Sequence, residues 1–163
     1  MSSLTINSKK EEREGYEDRK TAKAVIVNDK EEIYLFEYHL IGGGVEEGET
    51  YEQALKREAM EEAGIQIEII KPLGEITKFR SLIKKRYIVK GYLCKFIKKV
   101  SEPVDNLNNT LIWEKPQDSI KRLQLSLDEL KKEEEKFADS DLYHMRIANR
   151  EIAIYFLKEY LKR

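Results

Sequence analysis

The sequence predicts an α/β protein of one domain, built on a mixed β-sheet that helices cover on both faces. Three observations favour this fold class. Short β-branched and apolar segments recur through the first two-thirds of the chain, a single helical segment interrupts them, and further helical segments follow at the carboxyl end. Strands grouped around one helix, with more helices after them, are typical of a layered sheet.

Length and composition fit one domain with a heavily charged surface. The chain has 163 residues, enough to bury one core. Lys and Arg number 30 against 31 Asp and Glu, for a net charge of -1. A dedicated binder of nucleic acid or of anionic membranes would need a basic excess, so we expect neither partner. The single cysteine, Cys94, excludes an intrachain disulfide. Without a leader-like or membrane-spanning apolar run, the expected location is cytoplasmic.

The chain is predicted to divide into two parts. Residues 1–20 are polar and lack a hydrophobic period, so we expect a flexible arm there, and residues 21–163 form the domain. The domain begins with a β-branched strand, Thr21–Asn28. A turn then leads to a second strand, Ile33–Tyr38, so a hairpin is expected.

The first helix has the clearest boundaries. Gly42 to Gly44 form a loop that no regular element would tolerate. Thr50 and Gln53 make a capping-box pattern, and Gly64 stands where a left-handed residue ends a helix. The pattern predicts a helix over residues 51–63.

The segments after this helix are predicted from their hydrophobic periods. The expected strands are 65–79, interrupted around Pro72, then 86–97 and 111–113, with a polar loop over 101–109. The expected helices are a short one over 116–123, a second over 127–137, and a longer amphipathic one over 142–161.

Three glutamates in the first helix form the candidate chemical site. Glu58, Glu61 and Glu62 stand at i, i+3 and i+4, so their carboxylates fall within an arc of about 100° on one face. Like charges at this spacing repel, and Glu61 and Glu62 also lie in the last turn, where the helix dipole disfavours anions. A cation would offset both effects. Oxygen ligands with no nearby cysteine or histidine favour magnesium, with manganese as a possible substitute, over zinc.

The glycine loop complements these carboxylates. Without side chains, the backbone of Gly42, Gly43 and Gly44 can approach a metal or substrate phosphates closely. Loop and helix together would hold a metal against a diphosphate, which suits hydrolysis by positioning and charge. Read alone, however, three glutamates on a helix are more often a solvated acidic face.

The spacing of these residues resembles a known family. From Gly43 the pattern reads Gly, five residues, Glu49, seven residues, Arg57-Glu58-Ala59, one residue, Glu61-Glu62, one residue, Gly64-Ile65. This matches every fixed position of the Nudix box. The chain is therefore identified as a member of the Nudix hydrolases, although the box covers residues 43–65 only.

This resemblance implies a fold, an activity and residue roles. Nudix hydrolases share an α/β/α sandwich with a mixed sheet, and they cleave nucleoside diphosphates linked to another moiety. The resemblance makes Glu58, Glu61 and Glu62 the expected magnesium ligands, with the Gly42 carbonyl as an additional one. It also implies a supporting pair between Arg57 and Glu49 that anchors the loop to the helix. One departure is Ile41, where many members have a proline that stiffens the loop.

Candidates outside the box have weaker support. Members often recruit one more acid from a later loop, and Glu102 and Asp105 are the candidates here, although each is more often a plain surface acid. His39 precedes the glycine loop and can face the substrate, although an ordinary strand position is the commoner role. Aromatic residues can stack on a base, but core or edge packing is the commoner role for each: Tyr87, Tyr92 and Trp113.

Three functions from different classes remain open at this point. The first is a pyrophosphohydrolase acting on a small nucleotide, of nucleoside triphosphate or nucleotide-sugar type. The second is a catalytically silent Nudix-fold module that senses a nucleotide or binds a partner. The third is another enzymatic use of the scaffold, such as isoprenoid isomerisation or decapping, which nothing outside the box supports. Many relatives dimerise, so a homodimer is also possible.

Overall fold

The structure is a computed structural model of this chain, and it describes residues 3–7, 15–104 and 110–162. Six strands and three α-helices are found there, as follows: β1 Ser3–Asn7, β2 Glu17–Val27, β3 Ile33–Phe36, α1 Tyr51–Ala63, β4 Ile65–Arg80, β5 Lys85–Lys99, β6 Leu111–Glu114, α2 Pro116–Lys132 and α3 Asp141–Leu161. Short 3-10 turns occupy Ser81–Ile83 and Glu134–Phe137. Among these described residues, no helix is both long enough and apolar enough to span a bilayer.

The strands form one mixed sheet in the order β1-β4-β5-β2-β3-β6. The pairs β1/β4 and β2/β5 are parallel, and the other neighbours are antiparallel. The predicted hairpin is confirmed as β2–β3. Residues 41–44 continue the sheet beyond β3, because Ala24 bridges to Ile41 and Thr21 bridges to Gly44. The glycine loop therefore lies along the edge of β2.

Two apolar cores lie on opposite faces of this sheet. On one face, Leu55 and Ala59 of α1 pack on Ala22 and Ala24 of β2. On the other face, α2 and α3 cover a larger cluster that includes Val25. The α/β/α sandwich that the sequence predicted is confirmed.

Helix α1 has the predicted bounds, and its ends explain them. The Thr50 hydroxyl accepts the Gln53 backbone N–H at 3.1 Å, while the Gln53 side chain accepts the Thr50 N–H at 2.8 Å. Gly64 ends the helix with φ 63°, and its carbonyl accepts the backbone N–H groups of Val100 and Ser101. These two hydrogen bonds connect the end of α1 to the end of β5.

Three expectations for the elements are wrong in part. The arm predicted over residues 1–20 includes β1 and the start of β2, because both segments find backbone partners far along the chain, in β4 and β5. Strand β4 continues through Pro72 instead of breaking there, since register shifts on either side of the proline absorb its missing N–H. The helices predicted over 116–123 and 127–137 are one helix to Lys132, whose continuous apolar stripe faces the α3 core.

Candidate active site

Arg57 connects the glycine loop to the acidic face of α1. Its Nε and Nη2 donate to the two carboxylate oxygens of Glu49 at 2.9 and 3.0 Å. Nη2 also donates to the Gly44 carbonyl at 2.9 Å. The expected Arg57–Glu49 pair is therefore present in bidentate form, a geometry that fixes orientation as well as charge. The Glu49 carboxylate has its pKa lowered, first by the Arg57 hydrogen bonds and then by the Glu46 backbone N–H.

The same guanidinium also holds two of the three candidate metal ligands. Arg57 Nη1 donates to Glu58 Oε1 at 2.9 Å and to Glu61 Oε2 at 3.1 Å. Each carboxylate gives Arg57 only one oxygen, so its second oxygen can take a cation. The hydrogen bonds that Arg57 donates to Glu49 raise its pKa most, and those to Glu58 and Glu61 raise it further. Burial acts in the opposite direction, but Arg57 stays charged.

Two of the glutamates lie directly against the glycine backbone. Glu62 Oε2 accepts the Gly42 backbone N–H at 2.8 Å. The Glu58 carboxylate fills the space that a side chain at residue 43 would need, because a Cβ built on Gly43 would lie 2.5 Å from its carboxyl carbon. Gly42 has φ 125°, and a Cβ there would overlap the Ala22 carbonyl. The backbone therefore requires glycine at residue 42, and a side chain at residue 43 would displace the Glu58 carboxylate.

A lysine approaches this loop from the other side of the sheet. Lys23 of β2 donates through Nζ to the Leu40 carbonyl at 3.2 Å and to the Gly42 carbonyl. Burial lowers the pKa of Lys23, while the charges of Glu62 and Glu58 act in the opposite direction. Burial, and next the Lys23 charge, lower the pKa of His39 to about 4, so this histidine is neutral at pH 7.

A solvent-accessible cleft of about 750 Å³ opens beside the loop and the helix. Its lining includes Gly44, Arg57 and Glu58 from the Nudix box, together with Arg19 of β2 and Tyr87 of β5. The volume falls in the range of small-molecule sites. Cationic side chains at the rim suit an anionic ligand.

The donor set fits a hard divalent cation. Carboxylate and carbonyl oxygens from Glu58, Glu61, Glu62 and Gly42 are the ligands that magnesium prefers, and the loop supplies no sulfur ligand. In residues 15–104 and 110–162, no three acidic, histidine or cysteine side chains converge as a ready-made cage. The carboxylates are engaged by protein donors: Arg57 binds Glu58 and Glu61, and the Gly42 N–H binds Glu62.

The remaining candidates do not join this cluster. Glu102 is 85% exposed and pairs with Lys99 at 2.8 Å. Asp105 lies outside the residues that the structure describes. His39 packs on Phe36, with ring centroids 4.6 Å apart. The aromatic candidates take different places: Tyr92 is buried against α1, Trp113 stacks on Tyr34, and Tyr87 lines the cleft.

Sequence reasoning missed Lys23, the residue that contacts the Gly42 carbonyl. No motif contains it, although one signal was available. A lysine between two small apolar residues in a central strand has to find a polar partner on the opposite face.

Comparison with known proteins identifies the family. The model described as the NUDIX domain matches residues 17–146, and the chain belongs to the Nudix family. The predicted assignment as a Nudix-type pyrophosphohydrolase is confirmed at this level. Comparison with curated proteins finds no match.

Solved structures share the fold. A NUDIX hydrolase from Nitrosomonas europaea aligns with TM-score 0.58 at 19% identity, covering 66% of this chain and 79% of its own. The E. coli ORF135 protein aligns with TM-score 0.54 at 20% identity, covering 65% and 79%. A MutT NUDIX hydrolase from Burkholderia pseudomallei aligns with TM-score 0.53 at 24% identity, covering 62% and 85%.

Proposed function

We propose that this chain hydrolyses a phosphoanhydride bond in a nucleoside diphosphate linked to another moiety, with magnesium or manganese held by Glu58, Glu61, Glu62 and the Gly42 carbonyl. One observation carries the proposal. Glu58 and Glu62 both reach the glycine loop from α1: the Gly42 N–H donates to Glu62, and the Glu58 carboxylate fills the side-chain space of Gly43. Glu58 and Gly44 also line the cleft.

The protein residues have distinct tasks in this reaction. Arg57 holds Glu49 and the Gly44 carbonyl, and so keeps the loop at a fixed distance from α1. The bound cation supplies charge that neutralises the phosphates and lowers the pKa of water. The attacking water would be activated either by a carboxylate of this cluster acting as a general base or by the cation itself.

The proposed substrate class rests on part of the cleft lining. Arg19 and Lys20 of β2 supply positive charge suited to a polyphosphate chain, and acids also line the cleft: Asp18, Glu46, Glu47, Glu49 and Glu58. We therefore place ordinary or modified nucleoside triphosphates first and nucleotide sugars second. A cytoplasmic location and a homodimer stay predictions.

The test is a hydrolysis panel with and without magnesium. Nucleoside triphosphates, nucleotide sugars, ADP-ribose and dinucleoside polyphosphates are incubated with the protein, and the products are separated by ion-exchange chromatography. The variant Glu62→Gln should lower turnover by at least about 100-fold. Its matched control is Glu68→Gln, an exposed glutamate of β4, which should keep wild-type turnover. Cleavage of every active compound without divalent metal, or normal turnover by Glu62→Gln, would contradict the proposal.

A further inference from the structure

Lys23 projects from β2 toward the face opposite to α1. Its neighbours Ala22 and Ala24 are fully buried in the core under α1, and side chains alternate along a strand. Lys23 therefore shares its direction with Val25, which packs in the α2 and α3 core. Its ammonium reaches the edge of the sheet and donates to the carbonyls of Leu40 and Gly42.

The glutamates reach the same peptide units from α1. Glu62 accepts the Gly42 N–H at 2.8 Å, and the Glu58 carboxylate occupies the side-chain space of Gly43. Because these two positions carry no side chains, the ammonium and the two carboxylates meet at one short stretch of backbone.

In this arrangement the Lys23 ammonium and the proposed metal ion would both bind the Gly42 carbonyl oxygen. The Gly42 carbonyl, Glu58 and Glu62 belong to the proposed metal site, and the Lys23 ammonium donates to the first of them. A divalent cation on the Gly42 carbonyl and an ammonium hydrogen-bonded to the same oxygen would repel each other strongly in a partly buried site.

We propose that Lys23 is an internal counter-cation that occupies the Gly42 carbonyl in the metal-free protein, and that metal binding displaces its ammonium from that oxygen. The inference rests on the proposed metal site. It goes beyond that site because Lys23 competes with the metal. Lys23 stabilises the glycine loop and the neighbouring carboxylates while metal is absent, and it thereby lowers the affinity for metal. Lys23 is a positioning residue here, since it acts through Gly42, Glu58 and Glu62.

A simpler role would have the opposite consequence. If Lys23 only aimed the Gly42 carbonyl toward the metal, its removal would weaken metal binding. The sign of the change in metal affinity therefore separates competition from support.

The experiment is a titration with Mn²⁺, followed by the electron paramagnetic resonance signal of the free ion and independent of any substrate. Wild type is compared with Lys23→Met and with the matched control Lys98→Met, which removes one exposed lysine from β5. We expect Lys23→Met to bind Mn²⁺ about tenfold more tightly or better, and Lys98→Met to match wild type. Thermal unfolding adds a second readout. Metal-free Lys23→Met should melt below wild type, and Mn²⁺ should raise its melting temperature by more.

Each other outcome has a definite meaning. Equal or weaker Mn²⁺ binding by Lys23→Met, while wild type binds, overturns the competition and leaves the proposed function standing. Absence of Mn²⁺ binding by wild type overturns both. If Lys23→Met does not fold, Lys23→Gln keeps a donor for the Gly42 carbonyl without the charge, and the same tighter binding is expected.

Discussion

Replacing Lys78 by methionine should stabilise this protein. Lys78 lies on the α3 face of β4 and is 6% exposed. Two like charges, Arg80 and Lys23, act on it, and the opposing carboxylate of Glu151 is held by a lysine of α2 at 2.7 Å. The ring of Tyr87, 5.9 Å from Nζ, is its other favourable contact. The buried ammonium is therefore poorly compensated.

The magnitude follows from the pKa of Lys78. Burial first, and then the Arg80 charge, lower this pKa from the ordinary 10.5 to about 8. Each tenfold change in the dissociation constant corresponds to about 1.4 kcal/mol, so charging Lys78 costs the folded state about 3 kcal/mol. Loss of the cation–π contact with Tyr87 destabilises the variant by about 0.5–1 kcal/mol, which offsets part of this gain. Lys78→Met should therefore raise the free energy of unfolding at pH 7 by about 2 kcal/mol.

The pH dependence has a definite sign. Below pH 8 the lysine is charged in both the folded and the unfolded state, so the full cost is present. As the pH rises from 8 toward 10.5, the folded protein releases the proton first and the cost disappears. The advantage of Lys78→Met should therefore shrink over this range.

The assay is equilibrium unfolding in urea, followed by circular dichroism at pH 7 and pH 10. Lys98→Met, an exposed substitution on β5, is the control and should change the stability little at either pH. A variant Lys78→Met that is less stable than wild type at pH 7, or whose advantage does not fall by pH 10, would refute the reasoning.

Three further predictions concern the loop and the helix. The folded-state pKa of His39 is about 4, against an ordinary 6.5, so acid protonates the unfolded state first. Between pH 7 and pH 5, thermal unfolding should show that wild type loses about 2 kcal/mol more stability than His39→Gln. Equal losses of stability in the two proteins would contradict this prediction. Gly43→Ala displaces the Glu58 carboxylate, so kcat/KM should fall at least about tenfold. The control Gln66→Ala, at an exposed position of β4, should retain activity, and equal losses in the two variants would contradict the role of Gly43. Arg57→Lys keeps the charge but cannot form the bidentate pair, so steady-state kinetics should show kcat/KM reduced about tenfold, and an unchanged value would count against the anchoring role.

The elements with local signals were predictable. The capping box of Thr50 and Gln53 and the left-handed Gly64 give α1 its exact bounds, because these hydrogen bonds form within a few residues. The β2–β3 hairpin follows for the same reason. The Nudix box also indicated which acids to expect near the loop. Helical spacing alone places Glu58 and Glu62 on one face of α1.

What depends on distant partners was not predictable. Strand β1 owes its pairing to β4, about seventy positions later in the chain, as in the register of Ser3 with Glu75, and no pattern near residue 3 specifies that partner. The position of Lys23 depends on residues 41–44 folding back along β2. The sequence alone shows Lys23 only as a lysine within a predicted strand. The packing of α3 over β4 likewise decides that Lys78 is buried.

We propose that three glutamates of α1 bind a divalent cation at the glycine loop. Mn²⁺ titration of a variant that combines Glu58→Gln, Glu61→Gln and Glu62→Gln tests this binding. The control is Glu52→Gln/Glu68→Gln, which removes two exposed acids outside the loop. The control should bind Mn²⁺ as wild type does, and the triple variant should lose the bound ion. Mn²⁺ binding by a folded triple variant with wild-type affinity would contradict the claim.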